Sequence, residues 1–201
     1  MPSNKLKNFN LRGRGEIIRL IFAVSGKQYS DDRIDFEQWW AQKNRAPLGQ
    51  LPYLKIDSVE LPQSMAIARF LARETGLNGK DSLEQAQVDA VVETIMEPVN
   101  YYYTFVFSIE DPDEKDEAFR DFLEKQGKNG AKNVEKLIEM YGSSGYSVGD
   151  SLTWADLAIF DTVHSLLIKH PNFSQSFPVL NRVYENVKAN PSVANCVKNR
   201  P

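Results

Sequence analysis

The sequence predicts an α/β domain followed by an all-helical one. Three observations carry this. Strand-like and helix-like patterns alternate over the first 75 residues, strand signal all but vanishes from Leu83 onward, and apolar stripes at helical spacing then run to the end. The expected division is an α/β domain over 1–75, a linker over 76–82 and an all-helical domain over 83–201.

Lys5 to Phe9 alternates polar and apolar residues, which suits a strand, and Arg12-Gly-Arg-Gly15 breaks the run. Ile17, Leu20, Ile21 and Val24 follow at helical spacing, with Gly26 as a natural stop. Lys27 to Ile34 reads as a second strand and Phe36 to Asn44 as a short or irregular helix. Pro52 to Asp57 and Glu60 to Pro62 read as two strands joined by a tight Asp-Ser turn. Ser64 opens a helix as its N-cap, and Gly76 closes it. Strand, helix, strand implies a parallel pair, and the adjacent strands near residue 58 imply an antiparallel hairpin, giving a small mixed sheet.

In the second domain Val88, Val91, Val92, Ile95, Val99, Tyr102 and Val106 form one apolar stripe, broken by Asp111-Pro-Asp113. Ala118 to Met140 reads as a second long helix with Gly127 and Gly130 as soft spots, and Gly142 to Gly149 as a loop. Thr153-Trp-Ala-Asp156 has capping-box spacing with Asp in the acidic position. Leu180, Val183, Tyr184 and Val187 mark another helix, and Pro191 separates it from a last short one.

Composition narrows the function. Of the 201 residues 42% are hydrophobic and 25% charged, enough apolar material for a core. A net charge of −3 with both signs mixed throughout argues against nucleic-acid binding. No apolar run is long enough for a membrane span, and the N-terminus has no signal-peptide pattern. A single cysteine, Cys196, excludes an internal disulfide and a cysteine metal cluster; a cytoplasmic location is expected. There is no dinucleotide fingerprint, P-loop, His-Glu-x-x-His or Cys-x-x-Cys, and the two histidines are too few for a usual zinc site. His164 lies on a helix stripe and reads as a core histidine, and Cys196 as packing.

What remains is Gly49-Gln-Leu-Pro52 before a strand and Leu61-Pro-Gln-Ser64 before a helix. A cis Leu51–Pro52 bond would turn the Leu51 backbone outward to pair with an extended peptide, and a helix start at Ser64 attracts a carboxylate. An ordinary turn and an ordinary cap are the plainer reading of the same residues.

Lys5-Leu-Lys-Asn-Phe-Asn-Leu-Arg-Gly-Arg-Gly-Glu16, Gly49-Gln-Leu-Pro52, Leu61 to Leu71, Glu84-Gln-Ala-Gln-Val-Asp89 and Ser151 to Asp156 together resemble the glutathione S-transferases. The likeness is greatest to the sigma class of invertebrate transferases, glutathione-dependent prostaglandin D synthases and cephalopod S-crystallins, and runs over essentially the whole chain. It implies a thioredoxin-like N-terminal domain, a helical C-terminal domain and a homodimer. Glutathione is the implied co-substrate and a small hydrophobic electrophile the second substrate, with detoxification as the setting. Trp39 and Lys43 match the residues that hold the glycyl carboxylate, Gln50 a further pocket residue, and Leu51 the backbone that pairs with the cysteinyl unit beside Pro52. Gln63 and Ser64 match the pair that binds the γ-glutamyl carboxylate, and Glu97 falls where a partner-subunit Asp often reaches the amino group. Phe9, Gly13, Val99 and Tyr103 fall where the second substrate lies.

One departure matters most. The family's catalytic Tyr, which donates a hydrogen bond to the glutathione sulfur, is replaced by Asn8. A free thiol has a pKa of about 8.5. Lowering it by about two units takes roughly 2.7 kcal/mol of preferential thiolate stabilisation. An amide N–H is a weaker acid than a phenol. The fixed charge of Arg14, which matches a family arginine near the active site, and the start of the following helix both favour the thiolate. The expectation is therefore a transferase in which Asn8 and Arg14 share sulfur activation. The alternative is a protein that binds glutathione without activating it, as a carrier or structural protein of the S-crystallin kind.

Overall fold

The computed structural model describes residues 4–200, which form two units. One runs to Asn78 and takes in the chain from Lys188 onward; the other is Gly79–Val187.

The first unit is built on a four-stranded sheet of order β2-β1-β3-β4. Strand β1 (Asn4–Phe9) buries Asn4, Leu6 and Asn8 and leaves the alternate residues more exposed, as its sequence alternation requires. It pairs in parallel with β2 (Ser30–Ile34) and antiparallel with β3 (Tyr53–Ile56). Helix α1 (Glu16–Ser25) connects the parallel pair and ends at Gly26, whose φ of 67° is the left-handed stop that glycine favours. Strand β4 (Val59–Pro62) closes an antiparallel hairpin with β3, Ile56 facing Val59 across the Asp57-Ser58 turn. Helix α2 (Phe36–Gln42) gives way to a 3₁₀ turn at Lys43–Arg45, the short irregular helix expected over Phe36–Asn44. Helix α3 (Ser64–Glu74) packs on α1. The core is Leu6, Ile18, Leu20, Ile21, Phe22, Leu54, Ile67 and Leu71.

The second unit is helical. Helix α4 (Ser82–Tyr101) starts on Asp81, whose Oδ1 accepts the N–H groups of Leu83 and Glu84 at 2.9 Å. It runs on through a π turn at Tyr102–Val106. Asp111-Pro112, read as a break, is also a start: Asp111 caps α5 (Pro112–Phe122) with Pro at its first turn. A π turn at Leu123–Gly127 leads into α6 (Lys128–Tyr141). The helix expected over 118–140 is thus a helical run over 112–141 with one π turn. Gly130 is a close contact rather than a soft spot, because a Cβ there would lie 2.7 Å from Pro98 Cγ of α4.

Helix α7 (Trp154–Lys169) has the expected capping box. Asp156 is fully buried and its carboxylate accepts from Ser147 N at 2.6 Å, Thr153 N at 2.7 Å and Thr153 Oγ1 at 2.9 Å. Helix α8 is Pro178–Lys188. The last helix, α9 (Pro191–Lys198), packs on α1 of the first unit, whereas the sequence reading drew it with the helical domain. No helix among the described residues is long and apolar enough to cross a membrane.

Candidate functional site

Sheet register gathers one end of every strand of the first unit. Parallel strands β1 and β2 finish at the partners Phe9 and Ile34. Strand β3 runs the other way and begins there, with Lys7 opposite Tyr53. Strand β4 returns to finish there, with Pro62 opposite Tyr53. The segments entering and leaving this end carry Asn8, Phe9, Gly13, Arg14, Trp39, Lys43, Gln50, Leu51, Pro52, Gln63 and Ser64. Residues scattered over 57 positions are thereby brought to one edge, the place where ligands bind in open α/β sheets.

The backbone here is unusual. Leu48 and Gly49 both have left-handed φ, 58° and 61°, and deliver the chain to Gln50. The Leu51–Pro52 bond is cis, as the turn reading anticipated. Among the described residues, the Leu51 N–H and C=O enter no backbone hydrogen bond. They are therefore available to an extended peptide laid alongside, as in strand addition. Across the β3–β4 hairpin stands Gln63 with φ 75° and ψ 109°, a conformation that costs a non-glycine residue on the order of 1–3 kcal/mol. Such strain persists where a site requires it.

Gln63, not Ser64, holds the N-cap position of α3, and Ser64 is the buried first helical residue. The cap assigned to Ser64 is thus corrected by one residue: a left-handed Gln63 turns the chain straight into the helix. The open N–H groups of that helix start still favour an anion.

Phe9 stacks on Phe36 at 4.5 Å and meets Trp39 edge-on at 5.5 Å, so Trp39 is buried in an aromatic wall. Lys43 Nζ lies 5.2 Å from the exposed Trp40 ring, which leaves the ammonium at the surface as a cation for an anionic group.

Asn8 is 3% exposed, and its Nδ2 donates to Arg12 O at 3.5 Å. It shares the sheet face of Leu6, beneath the start of α1. A Cβ on Gly15 would come within 2.3 Å of Asn8 Nδ2, yet the Gly15 backbone is right-handed, with φ −85°. Glycine is needed there for space and not for conformation. Gly13 has φ 46°, and Arg14 lies between these two glycines in a 3₁₀ turn.

Glu97 and Val99 lie on α4 and Tyr103 in the π turn after it, all in the second unit; Glu97 is exposed and the other two are half-buried. Of the three adjacent tyrosines, Tyr102 faces the core, against Phe119 and Phe122 at 5.6 and 5.7 Å, and burial raises its pKa. Tyr103 packs edge-on against Tyr102 and tilted against Phe107, both at 5.5 Å. A pocket of about 300 Å³ in this unit, bounded by Leu123, Lys169, His170, Phe173 and Phe177, contains none of the predicted site residues. His164, expected in the core, is half-buried, 3.2 Å from Tyr184 Oη and stacked on Phe160. Burial pushes the Cys196 thiol pKa up, which suits packing and not reactivity. Among the described residues no three His, Cys, Asp or Glu side chains converge as a metal site needs.

Sequence reasoning missed Glu16 and Arg19. Every residue of α1 from Glu16 to Phe22 is buried, so two charges one turn apart inside that run were the available signal.

Residues 4–73 match the family model for the glutathione S-transferase N-terminal domain, and residues 98–200 that for the C-terminal domain. The chain is 39% identical over 205 residues to the probable glutathione S-transferase 5 of Caenorhabditis elegans. It is 37% identical over 202 residues to the hematopoietic prostaglandin D synthase of Gallus gallus. Each match covers 100% of this chain and 98% of the relative. A solved structure of the rat enzyme, "rat hPGDS complexed with a quinoline", superposes with a TM-score of 0.90 at 36% identity, covering 100% of this chain and 98% of that one.

Proposed function

The chain belongs to the glutathione S-transferase family, and on that premise we propose that it binds glutathione at the strand-end site of its first unit and conjugates it to small hydrophobic electrophiles. The observation that carries this proposal is the Leu51 main chain, which enters no backbone hydrogen bond among the described residues, set beside the left-handed Gln63 at one end of the β3–β4 hairpin. The Leu51 main chain is open to pair with the cysteinyl unit. Gln63, Ser64 and the start of α3 suit the γ-glutamyl carboxylate, while Lys43, with the Trp39 indole N–H and Gln50, suits the glycyl end. Glu97 is offered to the glutathione amino group of a partner subunit in a homodimer. Phe9, Gly13, Val99 and Tyr103 are the residues proposed to meet the electrophile.

Arg14 and Asn8 share activation of the sulfur. The thiol gives its proton to solvent, the thiolate forms a bond to the electrophilic carbon, and that carbon's leaving group departs with its electron pair. The Arg14 charge favours the thiolate over the thiol. Asn8 already donates one amide N–H to Arg12 O, which leaves its second for the sulfur side. The reaction belongs in the cytoplasm, where electrophiles are detoxified.

One observation favours a second reading. The Asn8 amide is buried and turned toward the loop backbone, an arrangement that suits a glutathione binder that does not activate sulfur. Retention on immobilised glutathione is expected under both readings, and its failure removes both. Turnover of a generic aryl halide is expected only of the transferase.

A further inference from the structure

We infer that Arg19 is a positioning residue for the sulfur end of the site, and that Arg200, at the far end of the chain, locks it in place. The inference rests on the proposed glutathione site and names what holds that site's least regular segment.

The segment between β1 and the Gly13–Gly15 turn is irregular, so its carbonyls need donor partners from elsewhere. Two of them, with the last carbonyl of β1, converge on one side chain. Arg19 Nη1 donates to Leu11 O at 2.9 Å and Arg12 O at 3.3 Å, and Nη2 donates to Phe9 O at 3.4 Å. Arg12 O is also the acceptor of the Asn8 amide. The group expected to face the sulfur and the Arg19 guanidinium therefore share one carbonyl. A guanidinium suits this task because its donors are spread over a rigid planar fork; a lysine ammonium offers all of its donors from one atom.

The fork is itself fixed. The Arg19 side chain is 2% exposed, with Nη1 3.2 Å from Glu16 Oε2 and Nε 3.0 Å from Asp31 Oδ2. The second Glu16 oxygen accepts from Arg200 Nε, beyond α9, 184 residues along the chain. Asp31 is also held by Arg33 through Nε at 2.8 Å and Nη2 at 2.7 Å. The cluster is three guanidiniums, Arg19, Arg33 and Arg200, against two carboxylates, Glu16 and Asp31. Loss of Arg200 leaves two against two, so that variant keeps a charge-balanced cluster. Loss of Arg19 leaves Glu16 and the three carbonyls short of donors.

The packing of α9 on α1 thus has a consequence at the site: it seals Glu16, Glu16 and Asp31 aim Arg19, and Arg19 sets the loop that carries Asn8's acceptor, Gly13 and Arg14. Arg19 is not placed on the sulfur and is not a catalytic residue.

The test compares wild type, Arg200→Gln and Arg19→Lys. The first readout is amide hydrogen exchange without ligand. Exchange at residues 10–16 should rise about tenfold in Arg200→Gln and more in Arg19→Lys, while β3 is unchanged. The second is the ultraviolet titration of bound glutathione. The thiol pKa should rise by about half a unit or more in each variant, with glutathione affinity altered less than about threefold. Exchange that stays at wild-type rates, or rises equally across the first unit, overturns the inference, as does an unchanged thiol pKa in a folded Arg200→Gln. Wild-type protein that binds no glutathione overturns the functional reading instead, and the exchange readout still decides whether Arg19 and Arg200 hold the loop. Should Arg19→Lys fail to fold, Arg200→Gln alone decides both readouts.

Discussion

The two units are held together by different means. In the helical unit, which carries two π turns of its own, Asp81, Asp111 and the Thr153–Asp156 box each close a helix start with side-chain oxygens. At the strand end of the first unit local rules are broken at close intervals. Leu48 and Gln63 are left-handed, and α3 starts without a side-chain cap. A charge cluster centred on the buried Glu16–Arg19 pair lies beneath the loop. The contrast teaches where function sits. Regularity serves stability, and costly exceptions survive where a ligand must be met.

The largest effect should come from breaking the regular side. Asp156→Ala leaves Ser147 N and Thr153 N, both buried with it, without their acceptor. Urea unfolding should show a loss of roughly 3 kcal/mol, with glutathione affinity in native buffer unchanged. An equal loss of affinity would erase the distinction between the units.

A smaller and opposite pattern is expected from Gly15→Ala. The new methyl meets Asn8 Nδ2 at 2.3 Å, so the amide must leave its place. Stability should fall by about 1–3 kcal/mol, and the bound thiol pKa should move. Asn8→Ala in the same chain should restore most of the stability but not the thiol, a non-additivity that isolates the contact.

The smallest effect concerns the rim of the charge cluster. Burial and the Asp31 carboxylate push the Tyr29 phenol up to about 12. The raised pKa means that the folded state favours the neutral phenol. Its contribution is therefore whole below the ordinary tyrosine pKa near 10 and is lost as pH rises through about 12. Tyr29→Phe should flatten the alkaline fall in stability over that window.

Much of this was legible in the sequence because it depends on neighbours along the chain. The alternation in Lys5–Phe9, the Asp-Ser turn, Gly26 and the Thr153 box are local signals, and each element formed where its pattern stood. The failures are contacts at long range or conformations that residue type conceals. A left-handed glutamine has no signature, so the cap fell on Ser64 instead of Gln63. Gly130 looked soft because Pro98, which fills its missing Cβ, lies 32 residues away. Glu16 and Arg19 sat within the expected helix, but their partners Asp31 and Arg200 could not be paired with them without the fold. The turn Gly49–Pro52 and the segment Leu61–Ser64 were each visible, while the hairpin register that makes them one site was not.

The central claim is that an irregular strand end activates sulfur without a tyrosine. The ultraviolet difference titration of glutathione bound to the wild-type protein tests it most directly. The transferase reading predicts ionisation well below the free value of about 8.5, with Arg14→Gln raising it again. Ionisation at or above the free value contradicts that claim and makes the protein a glutathione binder in which Asn8 has taken the place of activation.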